Sequence, residues 1–188
     1  MFIQTEATPN PQTLKFIPGK PVLVADDALE FLDETDAERS PLASRLFGVS
    51  GVKGVFLGSD FISVTKGEAE WQHLKPAILG VIMEHYLSGA PVLADGVARH
   101  QSKTLTEDYD PADQEIVDTI KELLATRVRQ AVAQDGGDIV FQGYHAGVVS
   151  LEMRGACSGC PSSTATLRHG IENLLKHYIP EVIEVRPV

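Results

Sequence analysis

The chain has 188 residues, a net charge of −10 and 43% hydrophobic residues. That is enough apolar material for one large core or two small ones, without the basic face of a general nucleic-acid binder. No apolar run approaches the roughly 20 residues of a membrane-spanning helix, and two cysteines in all argue against a disulfide framework in a reducing compartment. The N-terminus, MFIQTEATPNPQTLKF, has no basic start before an apolar stretch and no arginine, so neither a secretory signal nor a transit peptide is predicted. FIQTEA and TLKFIP then read as paired strands, Ser40 and Pro41 as a helix start, and GVFLGSDFISVTK as a second hairpin turned at Gly58–Asp60. Leu74, Ile78, Val81, Ile82 and Tyr86 recur at helical spacing and predict a helix with one apolar face.

The composition shifts near Ser88. Residues 88–110 contain SGAPVLADG and SKTLTEDYD and read as a linker, because a structureless stretch of that length fits poorly inside one compact domain. The expected organisation is a first domain at 1–87, a linker at 88–110 and a second domain at 111–188. The second domain opens with Asp110 as helix cap and Pro111 in the first turn. Ile116, Ile120, Leu123, Leu124, Val128, Ala131 and Val132 form its apolar stripe. DGGD, residues 135–138, stops the helix, with Gly136 and Gly137 free to take positive φ. A hairpin follows, with Ile139 and Phe141 on one strand, Val149, Leu151 and Met153 on the other, and a turn near His145–Gly147. A second helix carries Leu167, Ile171, Leu174, Leu175 and Tyr178 on one side, Pro180 ends it, and EVIEVRPV supplies a last strand. The fold class is α+β in two small domains, the second with the order α-β-β-α-β.

The only two thiols, Cys157 and Cys160, lie in RGACSGCPSS just before that helix. Four readings compete. Buried, incidental thiols fit poorly, because the segment holds no large apolar residue to cover them and reads as an exposed loop. A thioredoxin-like redox pair would normally follow a strand of a βαβ unit early in a domain. Zinc needs four ligands, and His145, His169 and His177 show no paired spacing to complete a set. An iron–sulfur cluster shared by two chains suits the segment best, since clusters take four thiolates and each chain brings two. Gly155, Ala156, Ser158 and Gly159 leave room for backbone amides and for a partner loop. The helix start at Pro161 and Ser162 favours thiolates and an anionic cluster. Arg154 either adds positive charge or is a solvated strand end.

QDGGDIVFQGYHAGVVSLEMRGACSGCPSSTATLRHGIENLLKHYIPEVIEV resembles the C-terminal domain of NifU, the Nfu-type iron–sulfur domain, and the segment from QTEATPNPQTLKFIPG to the Leu74 helix resembles the N-terminal Nfu domain. The resemblance covers nearly the whole chain except the linker. It implies a 4Fe-4S cluster, with 2Fe-2S as the alternative cargo, ligated by Cys157 and Cys160 of two chains that form a homodimer on cluster binding. It further implies an upstream cluster donor, apo iron–sulfur client proteins, and a first domain that helps engage clients. Neither nucleic acid nor membrane is an expected partner. The expected location is a bacterial cytoplasm, or the mitochondrial matrix for a processed form. Asp135 and Asp138 have two readings, contact with iron or a donor, and the satisfaction of nearby amides beside a glycine helix stop; the structural one is favoured. No His, Asp, Glu or Ser arrangement has a catalytic spacing, so a carrier rather than an enzyme is expected. A thiol–disulfide oxidoreductase using the same cysteines is the alternative, and an interaction module with dispensable cysteines a third.

Overall fold

A computed structural model describes residues 1–24, 28–95, 107–159 and 161–188, with side chains from residue 164 onward in the last stretch. The chain divides into two compact units, Met1–His100 and Gln101–Val188, and each combines helices with a sheet.

In the first unit, β1 (Gln4–Ala7), β2 (Thr13–Ile17), β3 (Leu29–Phe31), β4 (Val52–Leu57) and β5 (Ile62–Lys66) form one antiparallel sheet in the order β1-β2-β5-β4-β3. Phe16 sits opposite Ile62, Val55 opposite Val64 and Phe31 opposite Val55. Side chains alternate along a strand, so this register sends Leu14, Phe16, Phe31, Val55, Leu57, Ile62 and Val64 to one face. That face packs against Leu42 and Leu46 of α2 (Pro41–Phe47) and Leu74, Ile78 and Ile82 of α3 (Trp71–Ser88). The α2 start is built as expected. Ser40 accepts from the Ala43 amide at 3.1 Å, and proline occupies the first turn. β3 and the single-turn α1 (Glu34–Ala37, capped by Asp33) were not predicted, being too short to show a period.

The expected linker at 88–110 needs narrowing at its start. Gly89 ends α3 in the left-handed region (φ 68°), but the chain then lies back on its own unit. The Ser40 hydroxyl donates to the Val92 carbonyl, the Ala94 amide donates to the Arg39 carbonyl at 3.0 Å, and Val92 and Leu93 pack on the core. Residues 96–106, the middle of that stretch, lie outside the described residues.

His85 on α3 is fully buried, and neither ring nitrogen has a hydrogen-bond partner. Burial, and secondarily the Arg45 charge, push its pKa below the ordinary histidine value. The folded unit therefore binds this proton more weakly than the unfolded chain does. The stabilising contribution is complete above about pH 6.5 and is lost as pH falls through the lowered folded value. Trp71, the only tryptophan, reports on this unit alone. Denaturant midpoints followed by its fluorescence are expected to fall between pH 7 and pH 5, and His85→Leu is expected to flatten that slope. A midpoint independent of pH in the parent chain counts against this account.

The second unit has a four-stranded mixed sheet in the order β6-β7-β8-β9, formed by β6 (Asp108–Tyr109), β7 (Gly137–His145), β8 (Val148–Gly155) and β9 (Glu184–Pro187). β7 and β8 make the predicted hairpin, while β6 and β9 pair with it in parallel. The predicted order lacked β6, so the observed order is β-α-β-β-α-β. Residues 108 and 109 therefore belong to this sheet rather than to a linker. A helix runs from α4 (Gln114–Leu123) through one π turn (Leu124–Val128) into α5 (Arg129–Gln134). Its buried stripe is Val117, Ile120, Leu124, Val128 and Val132. Repeated steps of four drift around a regular helix, and the wider π turn absorbs the drift. The same turn leaves Ala131, predicted on the stripe, exposed. On α6 (Pro161–Tyr178), Ile171 and Leu175 are buried, but Tyr178 at the helix end is exposed, with the Arg127 guanidinium over its ring.

The β7–β8 turn places Ala146 at φ 48° and Gly147 at φ 83°. This two-residue geometry matches the strand twist but disfavours alanine, whose Cβ crowds the carbonyl in the left-handed region. Ala146→Asn or Ala146→Gly is expected to stabilise the unit by about 0.5–1 kcal/mol, read as a raised thermal midpoint. An unchanged or lowered midpoint for both contradicts it.

Candidate functional site

The cysteine turn joins β8 to α6. Gly155 (φ 64°) and Gly159 (φ 78°) flank it in the left-handed region, a conformation that favours glycine. The Gly155 carbonyl accepts from the Ser158 amide at 3.1 Å and from the Ser158 hydroxyl at 2.9 Å. The turn is also tied outward at two points. The Ala156 amide donates to the Gly136 carbonyl at 3.2 Å, and the Thr164 hydroxyl of α6 donates to the Cys157 carbonyl at 3.1 Å.

Cys157 is buried, 6% exposed, and joins the hydrophobic core of the second unit. This corrects the expectation of an exposed loop. The covering residues come from elsewhere in the chain, so the absence of large apolar neighbours in RGACSGCPSS was no guide. Gly137 makes the packing fit. A Cβ on Gly137 would lie 2.7 Å from Cys157 Sγ and 2.6 Å from the Arg154 carbonyl oxygen. The two glycines of DGGD thus have separate tasks. Gly136 (φ 82°) turns the chain out of α5, and Gly137, already in β7, admits the sulfur. Burial, followed by the Asp135 and Asp138 charges, pushes the Cys157 thiol pKa up to about 12. As placed, Cys157 is a protonated core thiol and does not present a thiolate ligand. The residue type suits an iron–sulfur cluster; this conformation of it does not. Cys160 lies outside the described residues.

Asp138 is buried and held by a fork. Arg129 Nε donates to Oδ1 at 2.9 Å and Nη2 to Oδ2 at 2.8 Å. Its structural reading therefore has a definite partner, a guanidinium from α5 rather than the backbone amides expected. Asp135 is an exposed helix-end residue. Arg154 pairs with Glu152 at 2.9 Å. The three histidines do not gather at the turn. His145 is exposed and paired with Asp108 at 3.0 Å, and His169 and His177 are exposed on α6. Among the described residues no group of three or more His, Cys, Asp or Glu side chains is placed to hold a metal ion, and no helix is long and apolar enough to cross a membrane.

The second unit is therefore a small α+β domain whose β8–α6 turn carries one half of a CxxC pair, and it follows in sequence a first unit that contains no cysteine. Residues 3–89 match the family model "Scaffold protein Nfu/NifU N terminal", and residues 120–186 match "NifU-like domain". The chain is 52% identical over its whole length to a Drosophila sechellia protein described as "NFU1 iron-sulfur cluster scaffold homolog, mitochondrial", and 49% identical to the Drosophila ananassae protein of the same description. It spans 65% of the length of the first relative and 64% of the second. A solution structure of a NifU-like protein from Saccharomyces cerevisiae is 25% identical, with a TM-score of 0.41, over 50% of this chain and 86% of that one. The chain belongs to the Nfu/NifU family, with the N-terminal Nfu domain followed by the NifU-like domain.

Proposed function

We propose that the protein is an iron–sulfur cluster scaffold and carrier, not an enzyme. Cys157 and Cys160 of two chains together ligate one 4Fe-4S cluster, which is passed to apo-proteins. One observation carries this reading. The chain's only two thiols stand three residues apart at the head of α6, inside the span that matches a NifU-like domain. Two thiolates are half of the four that a cluster takes, so a second chain supplies the rest. The oxidoreductase alternative uses the same two cysteines, and the burial of Cys157 weighs equally on both readings, since each needs an accessible thiolate.

The domains divide the work in this proposal, with the first unit recruiting clients, the second loading the cluster and the stretch between them acting as a tether. Residues 1–100 and 101–188 each carry 13 acidic and 8 basic side chains. Deleting the first unit thus removes half of the negative charge, and charge of one sign steers partners of the other and makes encounter salt-dependent. Cluster transfer to an apo 4Fe-4S enzyme is compared for the full chain and for a fragment starting at Glu107, which keeps β6. The fragment is expected to load a cluster fully and to transfer it more slowly, with a gap that narrows as salt rises. Equal rates at low and moderate salt contradict client recruitment by the first domain.

A further inference from the structure

The carrier reading requires Cys157 at a surface that a second chain can reach, and the structure puts it elsewhere. Its sulfur fills the space left by the missing side chain of Gly137, 6% exposed and within the core of its own unit. A thiolate bridging two chains has to project beyond its own fold, so it cannot ligate from this position. The surroundings show how the sulfur is retained and where it can be released. The Thr164 hydroxyl holds the Cys157 carbonyl, and the Gly136 carbonyl holds the next amide upstream, that of Ala156. Gly155 and Gly159 bracket the turn at positive φ, and a Cβ on Gly159 would meet nothing within 4 Å. Two glycines flanking a short turn can absorb a large change in backbone angle while β8 and α6 stay in place.

We propose that this conformation is a thiol-protected resting form, and that cluster acceptance begins when the turn at residues 155–159 swings out on its two glycines and withdraws Cys157 from the recess over Gly137. Thr164 is the positioning residue that sets how often this happens. The closed turn keeps the sulfur from oxidants and stray metal ions until a donor engages. This inference rests on the carrier reading for its purpose, but protection of the thiol can be measured without any cluster.

The test uses the full-length Cys160→Ser chain, in which Cys157 is the sole thiol, with N-ethylmaleimide as the probe and mass spectrometry as the readout. Native Cys157 is expected to react about 100-fold more slowly than in guanidinium, because labelling waits for local opening. Thr164→Val in that background, with an unchanged circular dichroism spectrum, is expected to raise the native rate about fivefold, the equivalent of one hydrogen bond; Thr164→Ser restores the slow rate. A native rate less than tenfold below the denatured one overturns the protected form. A Thr164→Val rate equal to its parent's overturns release of this turn as the opening step. In chains retaining both cysteines, Thr164→Val is expected to speed cluster uptake from ferric iron and sulfide, with dithiothreitol supplying the two electrons per cluster, in the same proportion, and equal uptake rates overturn the link between opening and loading. Should the parent chain take up no cluster at all, the carrier assignment fails while the labelling result stands.

Discussion

Replacing Cys157 or Cys160 by serine is expected to abolish stable cluster binding, with iron retained after desalting falling at least about tenfold. A hydroxyl is a hard, weakly acidic ligand and a poor substitute for a soft thiolate on iron. Removing one thiol per chain takes two of the four ligands from a cluster shared by two chains. Cys157→Ser carries a second cost in the apo-protein. Cys157 lies in the core, and a hydroxyl buried there without a new partner costs about 1–3 kcal/mol. Anaerobic reconstitution followed by iron and sulfide analysis checks the first effect, and denaturant unfolding of the apo chain checks the second. A full 4Fe-4S signal in either variant contradicts the ligand assignment.

Arg129→Ala is expected to destabilise the second unit by about 2–4 kcal/mol, somewhat below the range for fully buried pairs because the guanidinium is partly exposed. The substitution strands the Asp138 carboxylate, which is 6% exposed, without its fork. Asp138→Asn keeps the shape and can still accept from Arg129, so it is expected to cost less. The pair ties α5 to β7 next to Gly137. Loss of the fork is therefore also expected to loosen the floor under Cys157 and speed its labelling. Guanidinium unfolding followed by far-ultraviolet circular dichroism measures the effect. An Arg129→Ala midpoint equal to that of the parent means that solvent replaces the fork fully.

Elements with a sustained period were legible in the sequence. Ile78 and Ile82 on α3, Ile120 and Val128 on the long helix, and Val149 and Leu151 on β8 are all buried where the pattern put them. What the pattern did not show comes from local departures from a period. The register of β7 shifts between Phe141 and Gly143, which turns Tyr144 into the core opposite Val149. Gly143 was the available signal: glycine inside a strand marks a bulge or a close approach, and here a Cβ would lie 2.6 Å from the Asp108 carbonyl of β6. β6 itself has two residues and no pattern. The π turn rotated Ala131 outward, and nothing in a list of apolar spacings shows a π turn. The burial of Cys157 was hidden for a different reason. It depends on a contact with Gly137, far upstream, and both glycines of DGGD had been assigned to one helix stop.

The central claim, that two chains share one cluster through their cysteine pairs, is tested most directly by counting iron and mass on the same sample. The full-length apo-protein is reconstituted anaerobically with iron and sulfide, its iron per chain is determined by Mössbauer spectroscopy with protein quantitation, and its mass by sedimentation. About two irons per chain in a dimer, all in one 4Fe-4S species, is the expected result. Chelation is expected to weaken that dimer, because a bridging cluster stabilises association by mass action. A monomer that retains about four irons per chain would contradict the shared site, and a chain that stays colourless under these conditions would contradict cluster carriage itself.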